Sequence, residues 1–397
     1  MNAPARRLEL GSLGFDSGAS TLLALELGSL RAGESVEIRA EAADLASQLA
    51  AWARGRGHRV EELGAGRFQL ELGAAHAARR VGAERAGRAP ATDVAARPSQ
   101  RWGLAARGAL VEAGGAPFSF RLATADEAWF AGAPELYRAA AAAQWDPGTA
   151  IPWDTPLEHP AEVEDALVTV LTYLIENETA ALLVPARFAT QVHPQFREVL
   201  QRLALQAADE ARHIEVFSRR AALRRSELGL STTGGQASLR TLVEEPDFDR
   251  AALLLGVLGE GTFVNLLTFL REHAPERCTA ELMRLVAADE ARHVAFAMGH
   301  LAERIRHEPT LLARLASAVR ERHDTLRATA GLNEEVFDAL VLLAAGAFAP
   351  DAIARGHAAV VELVAQMDAG RRMRLRKLGF SADDAASLSG LHTRNFM

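Results

Sequence analysis

The sequence predicts a mainly helical protein: four long helices forming a bundle with extra helices around it, preceded by a small two-layer α+β domain. Three observations predict it. From about residue 125 onward, apolar residues follow the helical period almost without interruption, broken only at proline and glycine. Before residue 75, short alternating runs interleave with helical ones. A seven-residue segment also recurs unchanged, as Ala207–His213 and Ala287–His293, each copy in the middle of a long expected helix.

The elements follow in chain order. Leu8–Leu13 and Ser35–Ala40 read as strands, the second alternating Val36, Ile38 and Ala40 against Glu37 and Arg39. An apolar helical stretch lies between them at Thr21–Leu30, and Ala43–Arg56 is amphipathic, with Leu45, Leu49 and Trp52 on one face. His58–Leu63 and Arg67–Leu72 are strands joined by Gly64-Ala65-Gly66, a hairpin signal. The order β-α-β-α-β-β defines a first domain over residues 1–75. Residues 76–124 show no sustained apolar period and read as a linker. Residues 125–397 form the helical domain, with core helices expected over 160–191, 195–228, 246–273 and 276–306. Smaller helices are expected near 126–144, 309–328, 333–346 and 351–370.

Composition removes several function classes. The chain has 397 residues, 44 basic against 51 acidic, for a formal charge of −7, and no concentrated basic block, which argues against nucleic acid as a partner. No unbroken run of 18 or more apolar residues occurs, and no apolar segment follows Arg6 and Arg7, so neither membrane spanning nor export is expected. Cys278, the single cysteine, leaves no intramolecular disulfide and no cysteine-based metal site. The expected setting is the cytoplasm, and any metal must be held by His, Asp or Glu.

The repeat carries the chemistry. Each copy contains Glu-x-x-His, which sets a carboxylate and an imidazole on one helix face: Glu210 with His213, and Glu290 with His293. Leu203, Ala207, Ile214 and Phe217 surround the first pair at helical spacing, and Met283, Val286, Ala287, Val294 and Ala297 the second. A buried carboxylate costs several kcal/mol unless it is paired or bound to a cation. Each preceding core helix contributes one more glutamate on an apolar stripe, Glu178 lying 32 residues before Glu210 and Glu260 lying 30 before Glu290. Glu176 competes with Glu178, on a more polar face made by Thr172, Tyr173 and Thr179. The bundle is thus a duplicated helix pair, and its Glu178, Glu210, His213, Glu260, Glu290 and His293 form a candidate metal-ligand set. Four carboxylates would balance two divalent ions. Asp209 and Asp289 are read as hydrogen-bond partners of the ligand histidines across the bundle, and Arg212 and Arg292 as pointing outward or pairing with those aspartates. His300 is read as a surface or satisfied residue.

On these six residues, the stretch 125–306 resembles the ferritin-like di-iron carboxylate superfamily. The segments Gln144-Trp145-Asp146 and Ile151-Pro152-Trp153-Asp154 are similar to the region before the first ligand helix in reductase- and desaturase-like members. The resemblance implies catalytic and metal-binding roles for all six residues, with Glu210 and Glu290 bridging two ions and Glu178 and Glu260 flanking them. It implies two Fe ions, with Mn/Fe and Mn/Mn pairs equally compatible with the ligand set, and O2 as co-substrate. The activity implied is that of an oxygenase or oxidase of monooxygenase type, acting on a small organic substrate with an external electron donor. Departures narrow the choice. Phe217 stands where tyrosyl-radical reductase subunits carry tyrosine, and Val286 where a class of arylamine N-oxygenases carries a further histidine. Ferritin storage shells use subunits of about half this length. An apolar lining of Leu174, Leu182, Phe217, Phe263 and Phe296 is expected to keep the site dry.

Residues 8–73 resemble the TusA/SirA-like sulfur-carrier family in element order. Phe15-Asp16 replaces its Cys-Pro pair, and without a thiolate no persulfide can be carried. The module is expected to serve substrate docking, carrier- or partner-protein contact, or homodimer formation, or to be a structural appendage. Two other function classes remain open from sequence: an iron-sequestering, ferroxidase-like protein and a non-catalytic helical interaction protein.

Overall fold

The computed structural model describes residues 6–74, 81–87, 94–327 and 334–392. The chain divides into two compact units, Met1–Asp93 with Arg101–Phe118, and Val94–Gln100 with Ser119–Met397.

The first unit has the expected order: β1 (Arg7–Gly11), α1 (Ala19–Leu27), β2 (Ser35–Ala40), α2 (Leu45–Gly55), β3 (Arg59–Gly64) and β4 (Arg67–Glu71). The four strands form one sheet in the order β1-β2-β4-β3, with β1 parallel to β2 and the other pairs antiparallel. Val36 stands opposite Leu70 and Ile38 opposite Phe68, so one face of the sheet is continuously apolar. Leu23, Leu27, Leu45 and Leu49 of the two helices cover that face and are fully buried. Gly66 closes the hairpin with φ +69°, where a Cβ would sit 2.3 Å from the Ala40 carbonyl oxygen, so no other residue fits. The Phe15-Asp16 position lies in a 3₁₀ turn, and Phe15 packs edge-on against Trp52 at 6.1 Å.

Of the stretch 76–124, expected as a linker, residues 76–80 and 88–93 lie outside the described residues. The remainder holds a two-stranded antiparallel sheet, β5 (Glu84–Arg85) with β6 (Leu110–Val111), and is shared between the two units.

The second unit begins with α3 (Ala125–Ala128) and α4 (Ala133–Ala142), followed by the four long helices: α5 (Ala161–Ala189), α6 (Arg197–Ala221), α8 (Phe248–Glu272) and α9 (Arg277–His307). Helix α7 (Thr233–Val243) connects the two pairs, and α10 (Leu311–Leu326), α11 (Glu334–Ala345), α12 (Pro350–Lys377) and α13 (Ala382–His392) pack outside. This is the bundle with extra helices predicted from the helical periodicity: α5 packs on α6, α8 on α9, and α6 meets α9 at the centre. Glu162 and Glu164 in the first turn of α5 and Arg187 in its last turn favour the helix dipole. Glu276 caps α9 by accepting from the Thr279 amide. Leu174, Leu203, Leu267 and Met283 are among the side chains removed from water, each worth roughly 1.5–3 kcal/mol. A buried ion cluster ties three bundle helices together, Arg220 reaching Glu164 at 2.8 Å and Glu276 at 3.0 Å.

Several elements differ from the sequence reading. Helix α6 stops at Ala221 rather than 228, because the following chain turns to place the Gly229 amide on Thr172 Oγ1 at 2.7 Å. Gly234-Gly235 falls between the expected core helices yet lies inside α7, whose start is capped by Thr232 accepting from the Gly235 amide. Helix α13 was not foreseen. Helices α5 and α8 reach the length and hydropathy of a membrane span, although neither contains an unbroken apolar run of that length. Their apolar windows are 67% and 83% buried inside the bundle.

Candidate metal centre

Four helices bring the six expected side chains to one place. Glu178 comes from α5, Glu210 and His213 from α6, Glu260 from α8, and Glu290 and His293 from α9, and all are buried. Their donor atoms form two quartets within 4.8 Å: Glu178, Glu210, His213 and Glu290, and then Glu210, Glu260, Glu290 and His293. Glu210 and Glu290 belong to both. His213 Nδ1 lies 3.0 Å from Glu210, 3.4 Å from Glu290 and 3.6 Å from Glu178. His293 Nδ1 lies 3.0 Å from Glu210, 3.5 Å from Glu290 and 3.9 Å from Glu260. Glu176, the competitor of Glu178, is only half-buried and lines a separate pocket with Leu230 and Val336.

Several atoms at the centre are left without hydrogen bonds. Glu178 Oε1, Glu210 Oε1, Glu260 Oε2, both Glu290 oxygens and His293 Nδ1 are buried and unpartnered. Orphaned buried oxygens are expensive, and native proteins rarely keep even one without cause. Hard oxygen donors with two imidazoles suit Fe and Mn, and four carboxylates neutralise two divalent ions. The residues present therefore fit a dinuclear site.

The electrostatics agree. Burial, then the neighbouring Glu210 and Glu290 carboxylates, push Glu178 well above the carboxylate range, and burial followed by Glu290 does the same to Glu260. Burial would raise Glu210 too, but His293 and His213 hold it below the usual value. Burial opposes charge on both imidazoles, yet hydrogen bonds donated to Glu178 and Glu210 raise His213 well above its ordinary pKa, and the charges of Glu210 and Glu290 raise His293. Protons thus do in the metal-free cluster what cations would do in the filled one.

A second ring fixes the imidazoles. His213 Nε2 faces Asp289 Oδ2 at 3.1 Å, and His293 Nε2 faces Asp209 Oδ2 at 3.1 Å, so each aspartate serves the histidine of the opposite repeat. This leaves both Nδ1 atoms toward the carboxylates, the arrangement by which a carboxylate orients a metal-ligating histidine. Against the pull of burial, the His293 hydrogen bond and its neighbours bring Asp209 down to about 2. Arg212 donates to both aspartates, at 2.6 and 2.9 Å, and Arg292 donates to Asp289. Gln144 donates to Asp209 and Trp145 Nε1 to Asp289, each at 2.8 Å, while the Arg212 guanidinium lies 4.6 Å over the Trp145 ring. His300 is satisfied by Asp249 at 2.9 Å, away from the two quartets.

Two features were missed in the sequence. Gln206, one turn before Glu210, donates to Glu260 Oε1 at 2.7 Å, and a buried polar residue on that apolar stripe was its only signal. The second is that Ala252–Glu260 is a π-helical segment inside α8, ending on the ligand itself. Such segments leave the regular hydrogen-bond ladder. Here Arg374 of α12 donates Nε–H to the Val257 carbonyl at 2.8 Å. A Cβ at Gly261 would lie 2.4 Å from that Nε, so glycine at this position admits the arginine.

A narrow, largely apolar cavity borders Glu260 and His293, and a smaller one borders Glu178 and Glu260. Of the expected lining residues, Phe296 borders the first and Phe263 the second. Leu174 and Phe217 are buried in the core and border neither, because the open space lies toward α8, where the π segment widens the helix. Leu182 is half-buried and also borders neither.

No family model matches the chain, and no curated protein matches it. Among solved structures, it is similar to an R2-like ligand-binding oxidase mutant with an aerobically reconstituted Mn/Fe cofactor, at 17% identity over 63% of this chain and 94% of that one, TM-score 0.47. A mutant of an R2-like ligand-binding oxidase with an Fe/Fe cofactor gives 16% identity over 64% of this chain and 95% of that one, TM-score 0.46. A protein with aldehyde deformylating oxidase activity from Synechococcus gives 20% identity, 58% and 96% coverage, and TM-score 0.42. Within this chain, four bundle helices bring a duplicated Glu and Glu-x-x-His set to one buried cluster, whose two donor quartets could each hold a metal ion.

Proposed function

We propose that the helical unit is a non-haem dinuclear metal oxidoreductase, using two Fe ions or a Mn/Fe pair, that takes O2 as co-substrate to oxidise a small organic molecule. One observation carries this reading: Glu210 and Glu290 are common to two donor quartets, each within 4.8 Å, their unpartnered oxygens are buried there, and an apolar cavity borders the second quartet. Metal ions held there would supply the redox chemistry for O2 reduction, with electrons from an external donor.

The chain's own residues do the rest. Glu210 and Glu290, shared by both quartets, would hold both ions, and Glu178 and Glu260 would each help to hold one. Asp289 and Asp209 hold the Nε2 protons of His213 and His293, which presents Nδ1 to the ions. Gln206 steadies Glu260 on the cavity side. Val184, Leu203, Leu255 and Phe296 keep water from the adjoining space. The first unit has Phe15 and Asp16 where a sulfur carrier would need cysteine, so its proposed role is docking of a partner protein or a second copy.

The test is Fe and Mn per chain in protein purified after growth with both metals, followed by O2 uptake with candidate substrates. About two ions per chain, with metal and O2 uptake both lost in Glu210→Ala, is the expected result. No metal after anaerobic ferrous loading would overturn the reading. Many irons per chain without organic product would replace it with iron sequestration.

A further inference from the structure

Two cavities of the helical unit meet at one pair of side chains. The inner one borders Glu260 and His293 and is otherwise almost wholly apolar, walled by Val184, Leu203, Leu255, Phe296 and Ala297. The outer, wider one is lined by Arg121, Glu127, Asp247, Arg304, Glu308 and Arg314. Phe188 and Phe248 line both, with ring centroids 5.0 Å apart. Phe188 is the penultimate residue of α5 and Phe248 the first of α8, so the pair stands at one end of the bundle. Ten residues of helix separate Phe188 from Glu178, about 15 Å along the axis.

Resting on the dinuclear reading above, we propose that the two cavities are one substrate route along the bundle, and that Phe188 and Phe248 are the residues that select what passes. The chemistry on either side defines the selection. A charged group carried beyond the pair would enter a space whose polar groups are Gln206 and the two ligands, at a cost of several kcal/mol. Charged groups of both signs are accommodated outside it. The molecule that reaches the centre is therefore neutral and mainly apolar, with a cross-section set by the two rings.

Both rings are held from behind. The Arg187 guanidinium lies 4.6 Å over Phe188 and donates to the Val243 and Glu245 carbonyls. Phe248 packs on His300 at 4.7 Å, His300 is bonded to Asp249, and Asp249 is gripped by Arg304 at 3.0 Å. Asp249 and Arg304 themselves line the outer cavity, so the supports of one ring are exposed to whatever occupies it.

The experiment measures association of naphthalene, indole and the charged naphthalene-2-sulfonate with the full chain by stopped-flow probe fluorescence, in wild type, Phe188→Ala, Phe248→Ala and Phe248→Trp. Phe188→Leu and Phe248→Leu serve as variants that keep the core filled. Metal content is determined in parallel on every sample. Naphthalene association is expected to rise about tenfold in the alanine variants, rise less in the leucine variants, and fall in Phe248→Trp, with the sulfonate excluded from wild type. Equal naphthalene rates across the folded variants, ready uptake of the sulfonate by wild type, or no binding of any probe would overturn the proposal. Binding kinetics need no metal, so an empty site with ring-dependent rates would fail the dinuclear reading alone. A filled site with ring-independent rates would fail the route alone.

Discussion

Loading the metal-free chain with two ferrous ions at pH 7 should release protons, and the structure sets how many. Each ion's quartet contains one imidazole whose pKa is raised and one outer glutamate, Glu178 or Glu260, pushed up by burial and by its carboxylate neighbours. A metal ligand must shed its proton, so the two imidazoliums contribute about two protons and the two glutamic acids up to about two more. Release of about two to four protons per chain, one to two per ion, is expected. Anaerobic stopped-flow with a pH indicator gives the count directly, and calorimetry in buffers of different ionisation enthalpy checks it. The sign with pH follows. Raised folded-state pKa values mean that these groups stabilise the metal-free fold at low pH, and this contribution is lost as pH rises through them. Metal affinity gains over the same range, so the difference in Tm between loaded and empty protein should widen from pH 5 to 8. Two ions bound at pH 7 with no proton released would refute the reasoning about charge in the empty cluster.

Asp289→Asn removes the carboxylate facing His213 Nε2 and should weaken metal binding about 10- to 100-fold while leaving the far-ultraviolet spectrum unchanged, as competition with a chelator would show. Gly261→Ala places a Cβ against Arg374 and should cost about 1–3 kcal/mol in denaturant unfolding, a cost that shrinks in the Gly261→Ala, Arg374→Ala double variant. Leu203→Ala, in the wall between core and cavity, should cost about 2–5 kcal/mol in the same assay. His392 is held neutral by burial, with Arg322, Arg371 and Arg374 adding to the effect. A depressed histidine stabilises the fold above its ordinary pKa of about 6.5 and loses that contribution as pH falls. Stability should therefore drop below pH 6.5 in wild type and drop less in His392→Leu.

The long helices and the ligand set were legible because both are written in helical periodicity. Glu178, Glu210, His213, Glu260, Glu290 and His293 sit on apolar stripes that an external charge would not occupy, and the verbatim repeat pairs them. The cross-bundle reading of Asp209 and Asp289 followed from the same repeat. What stayed hidden depends on contacts between distant segments. Trp145 reaches Asp289 across 144 residues, and nothing local in Gln144-Trp145 announces it. The π segment looks like an ordinary apolar helix in sequence, since only the backbone pattern and the far-off Arg374 distinguish it. Helix α7 was masked by Gly234-Gly235, whose weak helix propensity is offset by the Thr232 cap and by burial of both glycines. The dry space was misplaced for a related reason. Leu174 and Phe217 belong to the stripe, but the stripe does not say on which side of the ligands the helices part.

The crossed pairing of histidines and aspartates makes the two halves of the duplication mutually dependent. Each half carries four of the acidic and imidazole groups in play, yet the aspartate that orients its histidine lies in the other half. Cutting the chain between α7 and α8 would leave two fragments that each hold a Glu-x-x-His and neither a correctly presented imidazole. Metal capture is therefore a property of the docked pair, acquired in one event when α6 and α9 meet, and a bound ion certifies that both halves have found each other.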